Sequence, residues 1–315
     1  MDVRHLELLR ELADRGSVSA VAAATHRTPS AVSQQLRTAE RDLGAALIEP
    51  DGRGIRLTDA GRLLADAGRD VSRAVAEVQA RFDEFRGEPT GTVRVAALAS
   101  AATFLLPSVL AELEPTAIDL RCTDVDISEQ EYAALVADFD IVIGHSLRRP
   151  RSTPALRATV LAREPLDIAM RGGHRLARRR QLTPHDIAAV EWYGVPLGYP
   201  FDTVRLAVEA EVGRELTVVQ RLRDNRLIEA LVRASDRVAV LPRFTTPTDG
   251  GLVLRPVAGL DTGRHVIALL RPDRAERLAV RRTLQALRRA ATEAGSRHGP
   301  PRAGGTPSGP TRPTA

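Results

Sequence analysis

The sequence predicts an α/β protein with an N-terminal winged helix-turn-helix, a long linker helix and a two-lobed α/β domain. The first 60 residues contain short amphipathic segments followed by a glycine-containing hairpin signal. A long stretch with coiled-coil spacing comes next, and strand and helix signals alternate from Thr92 onward. The chain of 315 residues is also too long for one small core, so at least two domains are expected.

The stretch from His26 to Gly44 has the signals of one helix. Thr28 suits the N-cap, Pro29 the first helical position and Gly44 the left-handed turn at the C-terminus. Apolar residues recur at helical spacing on one side: Val32, Leu36, Ala39 and Leu43. The opposite side carries side chains that can hydrogen-bond base edges in a major groove: Ser30, Ser33, Gln34 and Arg37. Taken alone, the stretch also fits a surface helix with an ordinary polar face.

The flanking segments favour the DNA-binding interpretation. Upstream, residues 17–24 predict a short helix capped by Ser17, so two helices joined by a tight turn form a helix-turn-helix. Downstream, residues 46–48 and 55–57 are apolar-rich runs around a turn with Gly52 and Gly54. This hairpin predicts a wing with Arg53 at its tip and Arg56 at its base.

Several motifs at fixed spacing carry a family resemblance: Gly16-Ser17-Val18, Pro29 to Leu36, Glu40, Leu43-Gly44 and Arg53 to Gly61. Through them, residues 1–61 resemble the DNA-binding domain of LysR-type transcriptional regulators. The chain has Thr28-Pro29-Ser30 where the family usually has Ser-Gln-Pro, and Ala39 where it usually has a bulky aliphatic residue. The predicted DNA contacts are Arg27, Thr28, Ser30, Ser33, Gln34, Arg37, Arg53 and Arg56.

Residues 58–90 are predicted to form a linker helix and a hinge. Thr58 suits the N-cap, and a narrow apolar seam follows: Leu64, Gly68, Val71, Val75, Val78, Phe82 and Phe85. A helix to residue 86 spans about 43 Å, more than one small domain covers. We therefore expect it to form a homodimer rather than lie buried along its own domain. The segment 87–91 contains two glycines and a proline, which predict a hinge.

From residue 91 to 292, strands and helices alternate as in a largely parallel, doubly wound sheet. Ser128 and Glu131 suggest a capping box for a helix ending near Ala137. The other predicted strands are 92–97, 118–123, 140–144, 165–170, 217–222, 237–241 and 265–270. The other predicted helices are 102–113, a short one after Thr183-Pro184, and those beginning near Asp202, Asn225 and Ala275.

This second region resembles the effector-binding domain of the same family, which is similar to periplasmic binding proteins. The resemblance implies lobe I at 91–162 and 266–292, and lobe II at 163–265. Residues 293–315 are rich in Gly, Pro, Thr and Ser without periodicity, so we expect a disordered tail.

Ligands of open α/β sheets bind beyond the carboxyl ends of the strands, which indicates where an effector would bind. In lobe I these positions hold Ser100, Ala101, Thr103, His145 and Ser146. In lobe II they hold Tyr199 and Phe201. Free backbone N–H groups and hydroxyls near Ser100 suit an anionic effector. Helix capping is the alternative role for each hydroxyl, and core packing is the alternative for the two aromatic rings.

Charge and composition limit the function classes. The net charge is +5 and the pI about 10.3, but the excess lies at residues 171–180 and beyond Arg277, not in the predicted winged helix. The chain has no lysine, so arginine and histidine must make every basic contact. The single cysteine, Cys122, suits a reducing cytoplasm and is expected to be a half-buried strand residue rather than a thiol sensor. No apolar run reaches the roughly 18 residues of a membrane helix.

These observations predict a cytoplasmic, sequence-specific regulator that binds an operator in double-stranded DNA as a homodimer, with a tetramer and RNA polymerase as further candidate partners. An architectural DNA-binding protein without sequence preference is one alternative. An enzyme on the α/β lobes is another, but no GxSxG, phosphate-binding loop, GxGxxG or HExxH motif is present. No cofactor or metal is predicted.

Overall fold

The computed structural model describes residues 2–52, 54–87, 89–127, 129–199 and 201–298. Three helices and a hairpin form the N-terminal part: α1 (Val3–Arg15), α2 (Val18–Ala24), α3 (Pro29–Leu43), β1 (Ile48–Asp51) and β2 (Gly54–Leu57). The predicted ends of α3 are confirmed, because the Thr28 side chain accepts from the N–H of Ala31 and Gly44 has a left-handed φ of 67°. Val32, Leu36 and Ala39 are fully buried against α1 and α2.

Two residues position α3 between its neighbours. His26, with φ of 54°, makes the tight turn after α2, a conformation that costs a non-glycine residue energy. Glu40 on α3 accepts hydrogen bonds from the N–H groups of Leu47 (2.9 Å) and Ile48 (3.3 Å) at the start of the wing. Glu40 thus ties the wing to the third helix.

The linker helix α4 (Asp59–Arg86) begins at the predicted cap Thr58 and ends at Gly87, which has φ of 90°. Its first turns pack closely on the winged helix. Gly61 lies against the Leu47 carbonyl and Gly68 against the Leu6 carbonyl, and neither place has room for a Cβ atom. The winged helix and α4 therefore form one packed unit.

The predicted seam of α4 divides into two parts. Leu64 and Gly68 pack inside their own domain, because α1 approaches this part of the helix. The later residues are exposed: Val75, Val78, Phe82 and Phe85. Only the second part of the seam is open to another chain.

The remaining elements alternate along the chain. The strands are β3 (Thr90–Leu98), β4 (Ala117–Val125), β5 (Ile141–Ser146), β6 (Arg157–Arg171), β7 (Trp192–Gly194), β8 (Val218–Arg221), β9 (Val238–Pro242), β10 (Leu252–Arg255) and β11 (Gly263–Leu270). The helices are α5 (Ala99–Leu113), α6 (Tyr132–Leu135), α7 (Pro184–Ala188), α8 (Asp202–Val212), α9 (Asn225–Arg233), α10 (Pro272–Glu276) and α11 (Leu278–His298), with a 3-10 turn at Glu129–Glu131.

One mixed sheet runs through this region in the order β4-β3-β5-β11-β6-β9-β7-β8, and β10 also pairs with β6. The predicted parallel pairing is confirmed within each lobe, where β3 pairs with β4 and β5, and β7 with β8 and β9. The crossing strands β6 and β11 are antiparallel to their neighbours. Lobe I packs around β3–β5, α5 and α11, and lobe II packs around β7–β9 with the end of β6.

Several boundaries differ from the sequence predictions. The helix predicted to end near Ala137 is reduced to α6, and Ser128, its predicted cap, lies outside the described residues. The predicted C-terminal helix is divided into α10 and α11 at Arg277. The Arg277 side chain donates hydrogen bonds to Asp140 Oδ1 and to the Thr92 carbonyl. It continues through residue 298, so residues 293–298 are helical rather than disordered. Cys122 lies on β4 as predicted but is exposed.

Within the described residues, every helix is too short or too polar to span a bilayer.

Candidate functional sites: the polar face of α3 and an interlobe cavity

The outward face of α3 presents unpaired polar groups. Gln34 and Arg37 are exposed and Ser33 is half-buried. None of these three side chains forms a hydrogen bond or ion pair with another residue in the described part of the chain, so their donors are free for an external partner. The apolar side of the same helix is locked in the core, which fixes the direction of this face.

Other predicted DNA contacts have partners within the domain. Arg27 donates to Gln35 Oε1 at 2.6 Å, and Thr28 uses its hydroxyl to cap α3 and lies 2.9 Å from Ser30 Oγ. In the wing, Arg56 pairs with Glu49 across the hairpin at 3.0 Å. Arg53 lies outside the described residues. The groups left most available by the fold are therefore those of Ser33, Gln34 and Arg37.

A cavity of about 370 Å³ lies between the two lobes. Five predicted effector contacts line it, with Ser100, Thr103 and His145 from lobe I and Tyr199 and Phe201 from lobe II. Residues far apart in sequence thus line one cavity.

One lining residue, Arg264, belongs to a buried ion pair. Arg264, on β11, donates to Glu164 Oε2 on β6 through Nε (2.8 Å) and Nη2 (2.6 Å), and both side chains are almost completely buried. Arg264 Nη2 also donates to Ser100 Oγ at 2.7 Å, and its guanidinium lies 5.2 Å from the Phe201 ring centroid. Because Ser100 Oγ accepts this bond, its own hydroxyl proton is available to a ligand.

His145 is held in the cavity as a neutral ring. Its Nδ1 lies 2.8 Å from the Tyr132 hydroxyl, and the two rings meet edge to face. Burial, with a contribution from the nearby Arg264, lowers the pKa of His145 from 6.5 to about 3. Burial likewise raises the pKa of Tyr132. This pair therefore offers hydrogen-bonding groups without adding charge near neutral pH.

Two predicted effector contacts are not part of the cavity lining. Ala101 is fully buried in the lobe I core, because it lies on the inner side of α5. The Ser146 hydroxyl donates to Glu129 Oε1 at 2.6 Å, so it is used within lobe I. Thr103 lines the cavity, but its hydroxyl donates to the Ala99 carbonyl at 2.9 Å.

Several lining residues were not among the predicted effector contacts, including Tyr132, Arg223, Asn225, Arg226 and Arg264. A signal existed for the start of α9: Asp224 caps it by accepting from the Leu227 N–H at 2.8 Å, directly after strand β8. Ligands of open α/β sheets bind beyond the carboxyl ends of strands, and the predicted strand before Asn225 indicates this place too. For Tyr132 and Arg264 no local signal existed, since their positions depend on long-range pairing.

A winged helix-turn-helix joined to a two-lobed domain with a central cavity defines a ligand-responsive DNA-binding regulator. Family models agree with this architecture. Residues 3–62 match "Bacterial regulatory helix-turn-helix protein, lysR family", and residues 86–292 match "LysR substrate binding domain". The chain belongs to the LysR family of transcriptional regulators, with a DNA-binding and an effector-binding domain.

Curated relatives are distant but cover most of the chain. The DNA-binding transcriptional dual regulator OxyR of Escherichia coli (strain K12) is 24% identical over 296 residues, covering 91% of this chain and 95% of the relative. The transcriptional dual regulator GltC of Bacillus subtilis (strain 168) is 24% identical over 250 residues, covering 78% and 82%.

Solved structures share the fold. A full-length OxyR variant from Pseudomonas aeruginosa aligns with a TM-score of 0.61 at 17% identity, covering 92% of this chain and 94% of that one. Full-length CbnR, in complex with its target DNA, aligns with a TM-score of 0.51 at 21% identity, covering 92% and 100%. At these identities the likeness concerns the fold alone.

The lowered pKa of His145 predicts a specific pH dependence of stability. Between about pH 6 and 4 the unfolded chain binds a proton at His145 that the folded chain does not, so stability falls as pH falls. Relative to His145→Gln, the wild type should lose about 1.4 kcal/mol of unfolding free energy per pH unit there. Urea denaturation at a series of pH values measures this slope. His185→Gln, a change at an exposed histidine, is the control. If wild type and His145→Gln show the same slope of unfolding free energy against pH, the prediction is wrong.

Proposed function

We propose that the regulator recognises its operator by inserting α3 into a major groove. The observation that carries this proposal is the free, outward row of Ser33, Gln34 and Arg37 on a helix whose other side is fixed in the core. A guanidinium pairs with guanine and an amide with adenine at major-groove edges, so these side chains can select bases. Ser30, Arg27 and Thr28 lie at the start of the helix, where contacts to phosphates would set its position.

The wing would contact the adjoining minor groove. Arg56 lies in β2, paired with Glu49, and the sequence predicts Arg53 as the residue at the tip of the wing. Narrow A·T-rich minor grooves attract arginine through their enhanced negative potential. The ion pair of Arg56 with Glu49 is exposed, and such pairs contribute about 1 kcal/mol or less, so DNA phosphates can displace it.

We further propose that two chains associate through the second part of α4. The apolar side chains Val75, Val78, Phe82 and Phe85 remain exposed along one side of this helix. Apolar side chains repeated at this spacing are typical of a coiled-coil seam, and a dimer would place two copies of α3 on successive half-sites. We propose that this dimer binds DNA in the cytoplasm. Association of two dimers into a tetramer and a contact with RNA polymerase are both compatible with it.

The interlobe cavity would bind a small anionic effector rather than perform catalysis. Arg226 pairs with Glu229 and Arg264 with Glu164, whereas Arg223 lies over the Tyr199 ring and has no ion pair with any described residue. Helix α5 begins at the cavity, and no side chain caps its first N–H groups. These donors, the Ser100 hydroxyl and Arg223 suit a carboxylate or phosphate.

The α3 proposal predicts that Arg37→Ala weakens operator binding by about tenfold or more and relaxes base preference, because a base contact contributes about 1–3 kcal/mol. The purified regulator is first used to enrich fragmented genomic DNA, and electrophoretic mobility shifts then compare the enriched site with a shuffled one. Arg4→Ala is the control, since it removes the same charge from an exposed side chain at the start of α1. If Arg37→Ala binds the operator with unchanged affinity, α3 is not the recognition helix. Equal binding of both DNAs by the wild type would favour an architectural protein.

The dimer proposal predicts that Val78→Glu shifts the oligomer toward monomer, because a carboxylate placed in an apolar seam must lose its water. Sedimentation velocity measures the shift, and operator affinity should fall with it. Gln79→Lys introduces a charge at an exposed neighbouring position, where Asp83 can pair with it, and should leave the oligomer intact. A monomeric wild type, or a Val78→Glu protein of unchanged size, would contradict this role for α4.

The effector proposal predicts a preference for charged ligands. A panel of small carboxylates and phosphates, each beside its neutral amide or ester, is tested by ligand-induced shifts of Tm. The anionic members should stabilise the protein, and Arg223→Gln should reduce the affinity of any that bind by about tenfold. Arg148→Gln removes an exposed arginine outside the cavity and serves as the control. Equal stabilisation by the neutral partner of a binding anion would contradict an anion site.

A further inference from the structure

Helix α1 presents a charged face to lobe I of the same chain. Arg10, Glu11, Asp14 and Arg15 occupy this face, while the apolar side of α1 packs into the winged-helix core. The proposed operator contacts involve none of these four side chains. Their environment therefore calls for a separate explanation.

These side chains form ion pairs with two places in lobe I. At the end of β11, Arg271 Nη1 lies 3.4 Å from Glu11 Oε1 and 3.7 Å from Asp14 Oδ2, and Asp273 Oδ2 lies 3.3 Å from Arg10 Nη1. Next to α6, Arg15 lies 2.9 Å from Asp138 Oδ1, and it donates to the Ala137 carbonyl at 3.1 Å.

The same cluster includes the linker helix. Arg10 donates to Ser72 Oγ at 2.8 Å, and Arg69 donates to Asp14 Oδ1 at 2.6 Å. Helix α10 also packs against α4, and Arg281 of α11 pairs with Glu84 at 3.1 Å. The winged helix and α4, which form one packed unit, are thus attached to lobe I as a body.

The burial of this cluster separates it from ordinary surface pairs. The Arg271 side chain is 6% exposed, and those of Arg10 and Glu11 are 13% and 16% exposed. Burial alone would raise the pKa of Glu11, but the neighbouring arginines lower it overall, so the carboxylate stays charged. Removing one partner of such a cluster leaves an uncompensated buried charge, which makes the contact sensitive to single changes.

One polar atom of the cluster is unsatisfied. Arg10 Nε is buried without a hydrogen-bond partner among the described residues. A buried network with an unmet donor is less stable than a fully satisfied one, as suits a contact that is made and broken. Gly87, with φ of 90° directly after the last residue of α4, provides the joint about which the unit can turn when the contact opens.

We propose that the ion pairs of α1 with Arg271, Asp273 and Asp138 form an intrachain latch that fixes the winged helix against lobe I. Closed, the latch sets one orientation of the winged helix; open, it lets the winged helix and α4 pivot at Gly87. Its consequence for operator geometry rests on the proposed role of α3. The ion pairs of the latch themselves involve only residues of this chain, and neither DNA nor effector.

The test measures the interdomain distance in the full chain. Spin labels are placed at Ser19→Cys on α2 and Gln285→Cys on α11, with Cys122→Ser removing the natural thiol. Labelled chains are diluted into unlabelled ones so that only distances within one chain are recorded. Pulsed dipolar spectroscopy should give one narrow distance distribution for the parent protein. Arg271→Gln and Asp273→Asn should each broaden it.

Two controls make the result specific. Arg271→Lys keeps the charge but not the planar fork, so it should broaden the distribution less than Arg271→Gln does. Arg205→Gln breaks an equally buried ion-pair cluster with Asp202 and Glu209 inside lobe II, and it should leave the distance unchanged. Circular dichroism verifies that each variant is folded. A broad distribution in the parent, or a narrow one in folded Arg271→Gln, would overturn the latch and leave the operator and effector proposals to their own experiments.

Discussion

The effector-binding domain depends on the buried ion pair of Arg264 with Glu164. It joins β11 to β6, the two strands that cross between the lobes, and Glu164 also accepts from the Phe244 N–H. The same guanidinium holds Ser100 of lobe I and faces Phe201 of lobe II. Loss of one partner would leave an unpaired buried charge, at a cost of about 3–5 kcal/mol. Both walls of the cavity would then lose their common point of attachment.

Strand β11 connects this pair to the other end of lobe I. It leaves the cavity at Arg264 and reaches Arg271, the residue that contacts α1, seven residues later. That separation corresponds to about 23 Å of extended chain. Strand β11 is paired on both sides, with β5 and with β6, which restricts its bending. The cavity and the winged helix are thus connected by a single secondary-structure element.

The sequence was sufficient to predict the ends of those helices that depend on local chemistry. Thr28, Pro29 and Gly44 define α3, and the caps at Thr58 and Thr183 define α4 and α7, because capping depends on residues within one turn. It was insufficient for β7, which has three residues and is stabilised by its neighbours. The partner of Arg264 is 100 residues away, and the burial of His145 follows from the packed lobe. Such features arise from tertiary packing, which no local pattern contains.

The absence of lysine makes the pairing of each arginine informative. The chain has 45 arginines and no lysine, so residue type cannot distinguish a structural guanidinium from a binding one. A planar guanidinium can satisfy two carboxylates or a carboxylate and a hydroxyl together, as at Arg264 and Arg271, and such arginines are committed to the fold. Arg37 and Arg223 have no ion pair with any described residue. Arg37 on α3 and Arg223 beside the interlobe cavity each keep guanidinium donors for a charge-assisted hydrogen bond to an anion, which is why we propose them as contacts for DNA and effector.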